Sequence, residues 1–118
     1  MDFKDKRVLV TGSSRGIGFA IAEAFLDAGA RVAVNGKGEQ SVSAAIERLG
    51  GGERLVSAPG DIGTVPGCES TVETAIDAFG GLDAAFVQGQ GIQVEMQLSP
   101  ESDRRRGPVL HQALRGQV

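Results

Sequence analysis

Tyrosine and tryptophan are absent from the 118 residues, cysteine and histidine occur once each, and the only aromatics are five phenylalanines. Cys68 has no second cysteine with which to form an internal disulfide, which suits a reducing compartment, and it reads as a small apolar residue on a helix. His111 has no cysteine or acid at ligand spacing, which argues against a metal site. No apolar run approaches the roughly 20 residues that cross a bilayer. The charged start, Met1-Asp2-Phe3-Lys4-Asp5-Lys6-Arg7, leads straight into a strand with no apolar signal core. The expectation is a soluble, cytoplasmic protein. Positive charge is also in short supply: a net charge of −3 speaks against nucleic acid and anionic membranes as partners. The run Arg104-Arg105-Arg106 has no interleaved aromatics and reads as a solvated tail.

What the chain does have is glycine, 18 residues of it, and a stretch that organises the rest. Val8 to Thr11 is an apolar, β-branched run that reads as a buried strand. It breaks into Gly12-Ser13-Ser14-Arg15-Gly16-Ile17-Gly18, after which Ile17, Ile21, Ala24, Phe25 and Ala28 recur at helical spacing and predict one apolar helix face. A strand, a glycine-rich turn and a helix N-terminus in that order form an anion site, because free backbone N–H groups and the positive end of the helix dipole converge there. Gly12 permits a tight turn with positive φ, Gly16 permits close approach of a pyrophosphate, and Gly18 permits close packing of helix on sheet. The candidate cofactor residues in this loop are Gly12, Ser14, Arg15, Gly16, Ile17 and Gly18. A glycine-serine turn with no ligand is the alternative.

The spacing Gly12-x-x-x-Gly16-x-Gly18 differs from the common G-x-G-x-x-G dinucleotide fingerprint. It resembles the T-G-x-x-x-G-I-G loop of the short-chain dehydrogenase/reductase family, matched at every fixed position from Thr11 to Gly18. The resemblance implies an NAD(P)-dependent oxidoreductase on a Rossmann-like fold. A chain of 118 residues has room for one domain, about half of what a complete enzyme of that family needs.

Further along, Gly29 is placed to end the first helix, and Arg31-Val32-Ala33-Val34-Asn35 predicts a second buried strand. An acid at the tip of that strand would bind the adenosine ribose hydroxyls and repel a 2′-phosphate. Here the chain reads Asn35-Gly36-Lys37-Gly38, without an acid. Lys37 beyond the strand and Arg15 within the loop place two cations near one ribose, so NADP(H) is preferred over NAD(H). The alternative is that Lys37 is a solvated loop charge. Glu39 to Leu49 predicts a second helix, closed by Gly50-Gly51-Gly52, and Arg54 to Ala58 a third, outer strand. Asp61-Ile62 follows, and the resemblance implies that this pair contacts the adenine ring; Asp61 capping a turn is the equal alternative. Thr64 is a plausible N-cap for a third helix to Phe79, with Cys68, Val72, Ala75, Ile76 and Phe79 as its stripe. Leu82 to Val87 predicts a fourth strand, similar to the family's Leu-Asp-x-x-Val run.

Then the pattern changes. The family's Asn-Asn-Ala-Gly is replaced by Gln88-Gly89-Gln90-Gly91, leaving Gln88 as the candidate amide at the nicotinamide end. The family's catalytic Tyr-x-x-x-Lys pair has no counterpart, because tyrosine is absent and the lysines are Lys4, Lys6 and Lys37. The expected architecture is therefore an incomplete doubly wound α/β sheet of about four strands and three helices, a half domain over residues 1–92, and an irregular tail over 93–118. The tail is basic while the rest is acidic, a shift that fits a linker or a frame-altered segment. An open edge on the fourth strand would invite self-association. Three readings follow: an NADP(H)-binding half of an oxidoreductase that is inactive alone, a non-catalytic nucleotide- or partner-binding module, and a truncated or frame-altered product without function.

Overall fold

The computed structural model describes residues 3–89 and 92–97. Its elements, in chain order, are β1 (Arg7–Val10), α1 (Gly16–Asp27), β2 (Arg31–Val34), α2 (Glu39–Arg48), β3 (Leu55–Ser57), α3 (Val65–Phe79), β4 (Ala84–Gly89) and β5 (Ile92–Gln97). The sheet order is β3-β2-β1-β4-β5. β1, β2, β3 and β4 run parallel, as strand–helix–strand crossovers require. This is the expected Rossmann-like, doubly wound α/β arrangement.

Alternation along β1 shows why its sequence is apolar throughout. Val8 and Val10 face one side with Val32 and Val34 of β2, against Ala22 and Leu26 of α1 and Val42 and Ala45 of α2. Leu9 faces the other side with Ala33 and Ala85, against Val72, Ala75, Ile76 and Phe79 of α3. A central parallel strand covered on both faces has no solvated side, so Val8, Leu9 and Val10 are all fully buried. Cys68 lies in the α3 seam, where burial, helped by the neighbouring Glu69 charge, pushes its thiol pKa up. Among the described residues no helix is long and apolar enough to cross a membrane.

The helix boundaries follow their local chemistry. The Thr64 hydroxyl accepts from the Gly67 N–H at 3.0 Å and caps α3. Gly80, at φ 81°, closes the helix by donating its N–H to the Ile76 carbonyl at 2.7 Å. α1 departs from expectation. Its buried seam is Gly18, Ala22 and Leu26, flanked by the partly buried Phe19, Ile21 and Phe25. Ile17, expected on the apolar face, is 66% exposed, and Ala24 is exposed too. The small residues Gly18 and Ala22 let the helix axis approach the sheet, and that approach turns Ile17 outward at the helix start.

The chain after Phe86 differs as well. β4 runs on through Gln88 and Gly89 instead of ending at Val87. Ile92–Gln97, expected in part to be irregular, forms β5 and pairs antiparallel with β4 from Ala84↔Gln97 to Gly89↔Ile92. The edge of β4 is therefore not open, and the basis for self-association along it falls away. Ile92, Val94 and Met96 alternate with Gln93, Glu95 and Gln97, the period-two pattern of a strand, and backbone pairing with β4 along its whole length completes it. The remaining tail, including His111 and the arginine run, lies outside the described residues.

Candidate functional site

The parallel strands deliver their loops to one edge of the sheet, and the order turns back on either side of β1. A crevice outside the carboxyl ends of the strands at such a reversal is where ligands bind in open α/β sheets. Three loops meet there: 11–15 after β1, 35–38 after β2 and 58–64 after β3.

The first loop is shaped by two glycines in the left-handed region, Gly12 at φ 62° and Gly16 at φ 64°. A Cβ on either would meet nothing within 4 Å, so the space above both backbones is open. Arg15, extended at φ −164°, is the N-cap of α1 but supplies no side-chain cap, and the first turn holds no acid. The other two helices differ: α2 has Glu39 in its first turn and α3 has the Thr64 cap. The amide dipoles at the start of α1 are thus left uncompensated beside an open glycine cradle, the arrangement an anion satisfies.

Arg15, Ile17 and Lys37 are all exposed at this edge, and among the described residues neither Arg15 nor Lys37 has its side chain committed to a hydrogen bond or ion pair. Ser14 is half-buried and lies against the backbone of Gly36, where a Cβ would stand 2.8 Å from the Ser14 Oγ and 3.2 Å from the Ser41 Oγ. Gly18 is buried within the α1 seam, as its proposed packing role requires. Asp61 is exposed and its Oδ1 accepts from the Gly63 N–H at 2.9 Å, a turn-stabilising bond. Ile62 beside it is half-buried. Gln88 sits within β4 opposite Gln93 rather than in a loop after the strand, and its side chain lies outside the described residues.

The residue that joins these loops is one the sequence marks only by the acid it lacks. Asn35 is 1% exposed. Its Oδ1 accepts from the Gly12 N–H at 2.8 Å, while its Nδ2 donates to the Ala58 carbonyl at 2.8 Å and the Gly60 carbonyl at 3.2 Å. Its backbone carbonyl accepts from the Ser13 and Ser14 N–H groups at 2.8 and 3.1 Å, and its own N–H donates to the Ser13 Oγ at 2.9 Å. An amide at the end of an apolar strand, flanked by glycine, was the available signal.

At the opposite edge, Arg7 and Asp83 form a two-pronged ion pair, Nε to Oδ2 at 3.0 Å and Nη2 to Oδ1 at 3.2 Å. The Arg7 hydrogen bonds hold the Asp83 carboxyl below the usual carboxylate range, against the opposing effect of burial. Among the described residues no group of three or more His, Cys, Asp or Glu is placed to hold a metal ion.

Comparison with known proteins places this geometry. The glucose 1-dehydrogenase of Gluconobacter oxydans is 42% identical over 104 residues, 86% of this chain and 37% of that protein. A glucose/ribitol-type short-chain dehydrogenase/reductase from Brucella melitensis has a similar structure, with a TM-score of 0.63 at 32% identity over 72% of this chain and 37% of that one. Pseudomonas aeruginosa RhlG, solved as its NADP active-site complex, gives a TM-score of 0.64 at 29% identity over 71% of this chain and 34% of that one. The chain spans little more than a third of the length of these relatives. A family model described as short chain dehydrogenase matches residues 6–112, running past Ile92, where the readable motifs fade. With that match over nearly its whole length, the chain belongs to the short-chain dehydrogenase family.

Proposed function

We propose that this chain is the dinucleotide-binding portion of a short-chain NAD(P)-dependent oxidoreductase, that it prefers NADP(H) to NAD(H), and that it does not turn over substrate by itself. The observation that carries the reading is the start of α1. Two positive-φ glycines leave open space there, and its amides have neither a side-chain cap nor an acid. In this reading a pyrophosphate lies on the amides of the Gly12–Gly18 loop, with Ser14 and Ile17 at its rim. Arg15 and Lys37 neutralise a 2′-phosphate, and Asn35-Gly36-Lys37-Gly38 carries no acid to repel that group. Asp61 and Ile62 hold the adenine end, and Gln88 supplies an amide toward the nicotinamide.

Such a dinucleotide, when bound, supplies the hydride chemistry. In this family hydride transfer relies on a tyrosine–lysine pair, and these residues include no tyrosine. That absence equally favours a second reading, a nucleotide-binding module without catalysis, which an assay for NADPH oxidation with carbonyl substrates separates from the first. The direct test is calorimetric titration of the purified chain with NADPH and, in parallel, NADH. Tighter binding of NADPH by about tenfold or more, reduced by Arg15→Ala and by Lys37→Ala with little change toward NADH, is the expected result. No heat from either nucleotide in folded protein would overturn the reading.

A further inference from the structure

We propose that Asn35 is a positioning residue for the cofactor: a buried amide that fixes the glycine loop and the Ala58–Asp61 loop at the separation one dinucleotide must span. The proposal rests on the cofactor reading above and adds to it a residue that touches no part of the ligand.

The hydrogen-bond partners leave only one orientation for the amide. Gly12 offers an N–H, so the oxygen must face the first loop; Ala58 and Gly60 offer carbonyls, so the nitrogen must face the third. The same nitrogen lies 3.3 Å from the Thr71 Oγ1 of α3, and that hydroxyl donates to the Gly67 carbonyl at 2.9 Å. Gly67 in turn donates its N–H to the Thr64 Oγ1 at 3.0 Å, and the Thr64 hydroxyl donates to the Asp61 carbonyl at 3.1 Å. A continuous path of hydrogen bonds thus runs from Gly12, beneath the pyrophosphate cradle, to Asp61 at the adenine end. No buried side-chain nitrogen or oxygen among the described residues lacks a partner, so the network has no slack.

None of the groups bonded to Asn35 titrates in the ordinary range. The charged groups on the loops it joins are Arg15, Lys37 and Asp61, all exposed, and α3 brings the buried Cys68 thiol. A carboxyl substituted for the amide therefore reports on the clamp directly. Asn35→Asp preserves shape and keeps an acceptor for Gly12, but when ionised it presents a charge to the Ala58 and Gly60 carbonyls. Burial and those carbonyls raise its pKa, and protonation restores one donor. A merely space-filling role predicts no such pH dependence.

The test measures NADPH affinity of wild type and Asn35→Asp between about pH 5.5 and 8, with the variant's dissociation constant divided by the wild type's at each pH to remove the titration of the 2′-phosphate itself. The expected ratio is about tenfold or more at pH 8, falling toward one as the pH is lowered. A ratio that stays near one throughout, in folded variant, overturns the proposal. If Asn35→Asp does not fold, Thr71→Val replaces it: about two- to fivefold weaker NADPH binding supports the clamp, and unchanged affinity overturns it. If the wild type binds no dinucleotide, the cofactor reading fails separately. Amide exchange then judges the clamp: a Gly60 amide that exchanges faster in Asn35→Asp at pH 8 but not at pH 5.5 supports it, and unaltered exchange overturns it.

Discussion

Asp83 accepts from both the backbone and the guanidinium of Arg7, with the Arg7 N–H at 2.8 Å from Oδ2 and the two guanidinium bonds at 3.0 and 3.2 Å. The pair joins the starts of β1 and β4, and both side chains are only about a fifth exposed, at 22% and 21%. Asp83→Asn removes the charge and one well-placed acceptor, and a loss of about 1–3 kcal/mol is expected in urea denaturation at neutral pH. The sign with pH follows from linkage. The carboxyl is more acidic in the folded chain than in the unfolded one, where it titrates near about 3.9. Its contribution is complete above that unfolded value and is lost as pH falls through the lower folded pKa. The stability gap between wild type and Asp83→Asn should therefore be constant near neutrality and close below about pH 4. Residues of this kind are only half legible in sequence. Leu82-Asp83 is recognisable as a motif, yet nothing local announces that its partner is Arg7, 76 positions earlier. Asn35 is similar: the missing acid was visible, but the burial that makes the amide a junction depends on three loops meeting.

Elements were read more easily, because their limits depend on neighbours in sequence. The Thr64 cap, the glycines ending α1 and α2, and the stripe of α3 all lie where spacing predicts them. What spacing did not reveal is how tightly the turn before α3 is wound. A Cβ on Gly67 would run into the Asp61 carbonyl, a backbone atom that cannot swing aside. Gly50 is the contrast: its φ of 102° strains a larger residue, but a Cβ there meets nothing within 4 Å. Gly67→Ala is expected to cost about 2–3 kcal/mol in chemical denaturation, against about 1 kcal/mol for Gly50→Ala. Equal costs would mean that the turn relaxes freely. The misplaced face of α1 has a related cause. Periodicity weighted Ile17 for its size, whereas the packed seam uses Gly18 and Ala22, whose value to the helix is that they are small. β5 differs: Ile92, Val94 and Met96 alternate with Gln93, Glu95 and Gln97, so a strand pattern is present, but it is only six residues long and stands beside a stretch rich in Gln and Arg.

At the scale of the whole molecule, β5 changes how the sheet ends. It takes the position beside β4 that a parallel fifth strand holds in the doubly wound order, and it covers that edge by running antiparallel. Cutting the chain after Gly89 removes this cover. The shortened protein should show concentration-dependent association in sedimentation velocity beyond that of the full chain at the same concentration. Identical sedimentation would show that the edge of β4 needs no strand beside it. The strand order also has a consequence for synthesis. β1 is made first and lies near the middle of the sheet, paired on one side with β2 but on the other with β4, where Val8 meets Ala84 and Val10 meets Phe86. A nascent chain on the ribosome can form β1, β2 and β3 with α1 and α2, yet one edge of its innermost strand stays exposed until residue 86 has left the exit tunnel. Until then the sheet is vulnerable at its centre, and β4, emerging after the strands on the other side, seals it from the inside.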